Sequence, residues 1–193
     1  EKLNQRSIYA TPLYLLTFLD NHDTDRFQKT AEEAADFARY EQALLLLLTL
    51  RGIPQLYYGD EIGMWANKTE GDGVLRQNFP VEALEASGRD EMQQRYFEYA
   101  SRLLQWRRQC PAVQWGRTVH FCLNEGCYVY SRILDGKYVT VIMNGTSETR
   151  KLSLARYQEV LPAAEAYDVI SGKNITLPKS ITLKPRQSLL LTF

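Results

Sequence analysis

Two short apolar, β-prone runs, each cut off abruptly by a polar cluster, set the strongest limit on how this chain can fold. Leu13-Tyr14-Leu15-Leu16-Thr17-Phe18-Leu19 stops at Asp20-Asn21-His22-Asp23, and Ile53-Pro54-Gln55-Leu56-Tyr57-Tyr58 stops at Gly59-Asp60-Glu61. Nearly continuous apolar runs of this length read as strands of a parallel sheet, buried on both faces. The stretch between them supplies the crossover: Ala34, Phe37, Ala38, Leu44, Leu45 and Leu48 recur at helical spacing, predicting one helix over 31–50, ended by Gly52 and Pro54. An irregular stretch follows from Gly63 to Glu85. A second helix is predicted beyond it, with Ser87 as N-cap, apolar Met92, Tyr96, Tyr99, Leu103 and Trp106 on one face, and Pro111 as its stop. This is α/β architecture with two βα units, too few to close a barrel.

The period then changes. β-rich runs at 117–123, 127–133 and 138–144 are separated by Asn124-Glu125-Gly126 and Asp135-Gly136, which are hairpin turn signals. Further runs at 150–154, 166–170, 174–177, 180–183 and 188–193 continue at sandwich-like spacing. The expected organisation is α/β followed by all-β, with an α/β portion over 1–111 and an antiparallel β-sandwich over 112–193.

Charge narrows the partners. Lysine plus arginine and aspartate plus glutamate both number 23, so no net field favours a nucleic acid or an anionic membrane surface. The longest apolar run, Ala43 to Leu50, is far short of the roughly 20 residues that span a bilayer. The opening Glu1-Lys2-Leu3-Asn4 carries no secretory-signal pattern, which leaves the compartment open. Cys110, Cys122 and Cys127 match no zinc or redox spacing and read as structural. Cys122 and Cys127 flank a predicted turn, so pairing across it under oxidising conditions is the alternative.

Chemistry in parallel βα architecture gathers at the C-terminal ends of strands. Asp20-Asn21-His22-Asp23 sits at such an end, where a carboxylate beside an imidazole can bind sugar hydroxyls and stabilise an oxocarbenium-like transition state. The same cluster alone equally suits a helix cap or a turn.

Taken together, Phe18-Leu19-Asp20-Asn21-His22-Asp23 and Gly52-Ile53-Pro54-Gln55-Leu56-Tyr57-Tyr58-Gly59-Asp60-Glu61 resemble the seventh and eighth barrel strands of the α-amylase family of glycoside hydrolases. Asn21-His22-Asp23 looks like that family's fourth signature region. The wording Asp-Asn-His-Asp-Thr-Asp-Arg-Phe and Tyr-Tyr-Gly-Asp-Glu-Ile-Gly-Met is most similar to neopullulanases and cyclomaltodextrinases, including bacterial periplasmic forms; a cytoplasmic enzyme is equally compatible. The resemblance implies a fold made of the last two βα units of a (β/α)8 TIM barrel plus a C-terminal β domain.

It also implies roles. Asp23 would be the transition-state-stabilising aspartate, and His22 and Asn21 its substrate-binding neighbours. Asp72 and Arg76, four residues apart, resemble the pair that holds the sugar on the non-reducing side; a loop salt bridge is the structural alternative. Arg26 is expected to pair with Glu32 or Glu33 rather than reach the site. Tyr57, Tyr58 and Glu61 are expected to be structural, with Glu61 anchoring a loop. Trp65 suits either stacking on glucose or core packing, and Trp115 is expected to be packed.

The family's nucleophile lies in a Gly-x-Arg-x-Asp segment and its acid/base glutamate follows the next strand, and neither segment occurs in these residues. The resemblance therefore implies a C-terminal piece of an α-glucan-acting retaining hydrolase or transglycosidase, inactive by itself. Its partners would be α-glucan oligosaccharides, with no cofactor in this portion and any calcium site upstream. A non-catalytic, carbohydrate-binding or ancillary relative is the alternative; the absence of paired surface tryptophans in the β-rich half speaks against a starch-binding module there.

Overall fold

The computed structural model describes residues 9–193; the opening Glu1-Lys2-Leu3-Asn4 lies outside them. The chain divides into two compact units, one of residues up to Leu48 with Gly52–Gln109, the other of Thr49–Arg51 with Cys110–Phe193.

In the first unit, β1 (Leu16–Phe18) and β2 (Ile53–Gln55) pair in parallel, Leu16 opposite Ile53. Both strands are shorter than the apolar runs that predict them. Pro12–Tyr14 forms a 3-10 turn before β1, consistent with proline fixing its own backbone and lacking an N–H. Expected burial on both faces is not met, since Leu16, Phe18 and Ile53 are each about half exposed. Two strands cannot cover their own faces, and a parallel sheet needs neighbours and helices on each side.

The predicted helix over 31–50 is two helices, α1 (Ala31–Ala35) and α2 (Phe37–Thr49). The break falls at Asp36, which leaves helical geometry as the C-cap of α1 and whose carbonyl and carboxylate both accept the Arg39 N–H, at 3.1 and 3.3 Å, at the start of the second helix. After β2 come a one-turn helix, α3 (Asp72–Leu75), and the long α4 (Glu91–Arg108). The N-cap of α4 is Asp90 and not Ser87. Asp90 accepts the Gln93 N–H at 2.8 Å while the Gln93 side chain accepts the Asp90 N–H at 3.0 Å, a reciprocal capping box. α2 and α4 bury an aromatic cluster, with Phe37 and Tyr96 edge-to-face at 5.1 Å and Tyr40 and Tyr96 at 4.3 Å between ring centres. No helix among the described residues is long and apolar enough to cross a membrane.

The second unit opens on α5 (Pro111–Trp115). Pro111 thus starts a helix as well as following one, because its missing N–H costs nothing at the first helical position. Eight strands follow: β3 (Arg117–His120), β4 (Cys127–Leu134), β5 (Lys137–Asn144), β6 (Arg150–Ser153), β7 (Glu165–Asp168), β8 (Lys173–Thr176), β9 (Ser180–Leu183) and β10 (Ser188–Thr192). They form a six-stranded antiparallel sheet in the order β3-β4-β5-β10-β7-β8 and a two-stranded pair β6-β9. Leu152 and Leu183 from the small sheet share one core with Val129, Ile142 and Leu191 from the large one, so the sheets pack face to face. The β4–β5 turn is the type the dipeptide Asp135-Gly136 predicts: both residues have positive φ, 49° and 74°.

All three cysteines are free thiols, and the alternative of a Cys122–Cys127 bridge is not realised. Arg117 opposes Ile133, and the Phe121 N–H reaches the Val129 carbonyl at 3.0 Å, so the register places Cys122 on the Tyr128 side of the pair. Cys127, one residue along, faces the other way into the core, whereas Cys122 is exposed. Trp115, expected to be packed, is 53% exposed.

Candidate active site

The loop leaving β1 is shaped by its own short polar side chains. The Asn21 carboxamide oxygen accepts the Asp23 N–H at 2.8 Å, an Asx turn, and the Thr24 hydroxyl accepts the Asn21 N–H at 3.1 Å. The Asn21 amide oxygen is therefore spent on the turn that presents the next two residues outward. His22 and Asp23 are both more than half exposed, with the imidazole Nε2 3.3 Å from the Asp23 carboxylate.

The loop after β2 brings the other predicted pair to the same place. Tyr57 donates its hydroxyl to the Leu75 carbonyl at 3.2 Å and Tyr58 to the Gln77 carbonyl at 2.7 Å, tying α3 back to the strand end. The Glu61 carboxylate accepts the Gly59 N–H at 2.7 Å and anchors the turn between them. Arg76, which caps the C-terminal end of α3, reaches Asp72 at 3.4 Å and Asp23 at 3.1 Å, and its Nε donates to the His22 carbonyl at 3.1 Å. His22, Asp23, Asp72 and Arg76 thus converge, with Asn21 as the support beneath them. The salt bridge foreseen as a structural alternative for Asp72 and Arg76 is formed; the same guanidinium also spans to Asp23.

Lys68 completes the cluster. Its ammonium donates to the Asp23 carbonyl and lies 4.0 Å from Asp72, while its backbone N–H donates to Asp25 at 2.7 Å. That N–H, with the Lys29 ammonium 3.0 Å away, holds the Asp25 carboxyl below its ordinary range. Lys68 sits in a stretch without motif or periodicity, and only its folded contacts with Asp23, Asp25 and Asp72 mark it.

Arg26 departs from expectation. It pairs with neither Glu32 nor Glu33; Glu33 is held instead by Arg39 at 3.1 Å. Arg26 is fully buried, donates to the Tyr58 carbonyl at 2.8 Å, lies 3.7 Å from Asp60, and stacks its guanidinium over the Tyr57 and Tyr58 rings at 4.5 and 5.1 Å. Trp65 is 44% exposed and, with Met64, Gln77, Met92 and Tyr96, lines a cavity of about 570 Å³. Among the described residues no three His, Cys, Asp or Glu side chains are grouped to hold a metal ion.

The arrangement is a carboxylate at a strand end, oriented by an imidazole and a guanidinium and open to solvent. It suits electrostatic stabilisation of a cationic centre and bidentate hydrogen bonding to hydroxyls.

Comparison with known proteins places the chain in a family. Residues 3–120 match the sequence model of the α-amylase catalytic domain, and residues 118–192 match that of the cyclo-malto-dextrinase C-terminal domain. An α-amylase of Niallia circulans is 32% identical over 169 residues, covering 86% of this chain and 29% of that protein. A cyclomaltodextrin glucanotransferase of Bacillus licheniformis is 33% identical over 165 residues, covering 83% of this chain and 21% of that protein. Among solved structures, AmyP in complex with maltose superposes with a TM-score of 0.81 at 23% identity over 98% of this chain and 43% of its own, and the α-amylase from Geobacillus thermoleovorans complexed with acarbose with 0.77 at 23% identity over 99% and 41%. This chain spans less than a third of the length of the two sequence relatives. It belongs to the α-amylase family, as the end of the catalytic domain joined to the C-terminal β domain.

Proposed function

We propose that the chain forms the C-terminal part of a retaining, α-glucan-acting enzyme and contributes Asp23 as the carboxylate that stabilises the glycosyl cation. The observation that carries this reading is the convergence of Asp23, His22 and Arg76 at the C-terminal ends of two paired parallel strands. In a retaining mechanism a nucleophile and an acid/base stand about 5 Å apart across the scissile bond. Neither carboxylate segment occurs in these residues, so the chain supplies charge stabilisation and substrate positioning rather than the bond-breaking pair.

His22 would hydrogen-bond a ring hydroxyl at the cleaved residue, and Asp72 and Arg76 would hold the sugar on the non-reducing side. Opening of the Arg76–Asp23 ion pair would then accompany sugar binding, because the guanidinium donors now spent on Asp23 are those a sugar hydroxyl would use. The maltose and acarbose carried by two of the superposed structures are oligosaccharides of the class this reading requires. Any calcium would be held by other segments of the whole enzyme.

The test is to incubate the full-length polypeptide that carries this chain with maltooligosaccharides and read the anomer released by proton NMR. Release of the α-anomer supports the reading. Binding without turnover would turn it into the non-catalytic alternative, and release of the β-anomer would exclude a retaining mechanism.

A further inference from the structure

Beneath the exposed cluster lies a second group of charges to which neither the mechanism nor the motif gives a role. Asp20 follows β1, Asp60 follows β2, and both are buried, at 1% and 5% exposure, around the fully buried Arg26. One cation therefore faces two carboxyl groups. Asp20 Oδ2 accepts the Phe27 N–H at 2.7 Å, which shuts the loop of residues 20–27 carrying Asn21, His22 and Asp23. Asp60 Oδ1 faces Arg26. The remaining oxygens, Asp20 Oδ1 and Asp60 Oδ2, are buried and have no donor, although the two carboxyl groups lie within hydrogen-bonding reach of each other.

Two buried acceptors without donors, on carboxyl groups near enough to hydrogen-bond each other, are costly, and one proton shared by the pair relieves both. We infer that Asp60 carries a proton on Oδ2 and donates it to Asp20 Oδ1, so that an acid–carboxylate pair, neutralised by Arg26, fixes the loop that presents Asp23. The groups packed around the pair agree with that assignment. Burial, reinforced by the Asp20 charge beside it, pushes the Asp60 carboxyl well above its ordinary value of 3.8. Burial also raises Asp20, opposed by the Phe27 N–H, the hydrogen bond from Asp60 and the Arg26 charge. Glu61 adds negative potential at Asp60, and Tyr40 on α2 is itself raised by burial and by Asp60. Arg26 Nε and Nη2 have no acceptor, and the Tyr57 and Tyr58 rings over the guanidinium take their place.

Asp20 and Asp60 are then positioning residues, and only the consequence for turnover rests on the reading of Asp23 given above. The test uses the full-length protein with Asp60→Asn, whose amide keeps a donor toward Asp20, and Asp60→Ala, which does not. Difference infrared spectroscopy at neutral pH should show a protonated carboxyl band in the parent that is missing from Asp60→Asn. Unfolding measured against pH supplies the sign: a raised acid contributes stability that is present below the ordinary carboxylate value and is lost as pH rises through the folded value. The parent should lose stability over that window, and Asp60→Asn should lose less. Turnover on maltooligosaccharides should fall by about tenfold or more in Asp60→Ala and recover to within about threefold of the parent in Asp60→Asn, because a misplaced carboxylate loses rate steeply. Absence of the acid band, or identical pH dependence of stability, overturns the shared proton. Equal impairment of the two variants overturns the positioning role. A parent without glucan turnover would refute the functional reading while the spectroscopic and stability arms still decide the pair.

Discussion

At the scale of the residue, burial decides which charges serve the fold and which are free for chemistry. Arg26 and Asp23 are three residues apart, yet one is fully buried and the other more than half exposed. Removing one partner of a buried charged group leaves the others uncompensated, so Arg26→Ala should cost about 3–5 kcal/mol of stability by denaturant unfolding. A loss below about 1 kcal/mol, the range of exposed pairs, would contradict the role. His22→Ala should act on function instead, weakening transition-state binding by about 1–3 kcal/mol with stability unchanged; an unaltered kcat/KM on maltooligosaccharides would count against it. The exposed His22–Asp23 pair is marked in the sequence by its motif at the end of β1. The Arg26–Asp60 contact is not: Glu32 and Glu33 are nearer along the chain, and only the folded positions of β1 and β2 bring Asp60 closer.

At the scale of the element, local chemistry was legible where one interaction dominated. The β4–β5 hairpin follows from Asp135-Gly136 because few residues tolerate the positive φ that a right-twisted turn demands. The break within 31–50 is not legible because the apolar period runs on through Asp36, while the interruption depends on the backbone of that one residue and its contacts with the Arg39 N–H. The start of α4 at Asp90 was signalled by Gln93 three residues on, a pattern that outweighs a lone serine. Asp90→Ala should therefore cost about 1 kcal/mol, whereas Ser87→Ala should change stability little in the same thermal unfolding measurement. Gly52 is constrained by the strand pairing itself. Its φ is +126°, and a Cβ there would stand 2.8 Å from both the Leu15 carbonyl oxygen and the Thr17 methyl. Gly52→Ala should destabilise by more than about 1 kcal/mol, since it adds a steric clash to an unfavourable backbone conformation.

At the scale of the whole molecule, the change from helical to strand periodicity was legible as two architectures. The exposure of Leu16, Phe18 and Ile53 follows from having two parallel strands where a covered sheet needs more. In the isolated 193-residue chain, amides of β1 and β2 should exchange with solvent orders of magnitude faster than those of β4 and β5, whose residues are largely buried. Comparable protection in both would contradict that account. The central claim is that Asp23 supplies transition-state charge, and it is tested most directly by measuring kcat of Asp23→Asn in the full-length enzyme, with circular dichroism to verify folding. The account predicts a folded protein whose turnover falls by several orders of magnitude, because only charge at an exposed strand end is removed. A folded variant with near-parental turnover would contradict it.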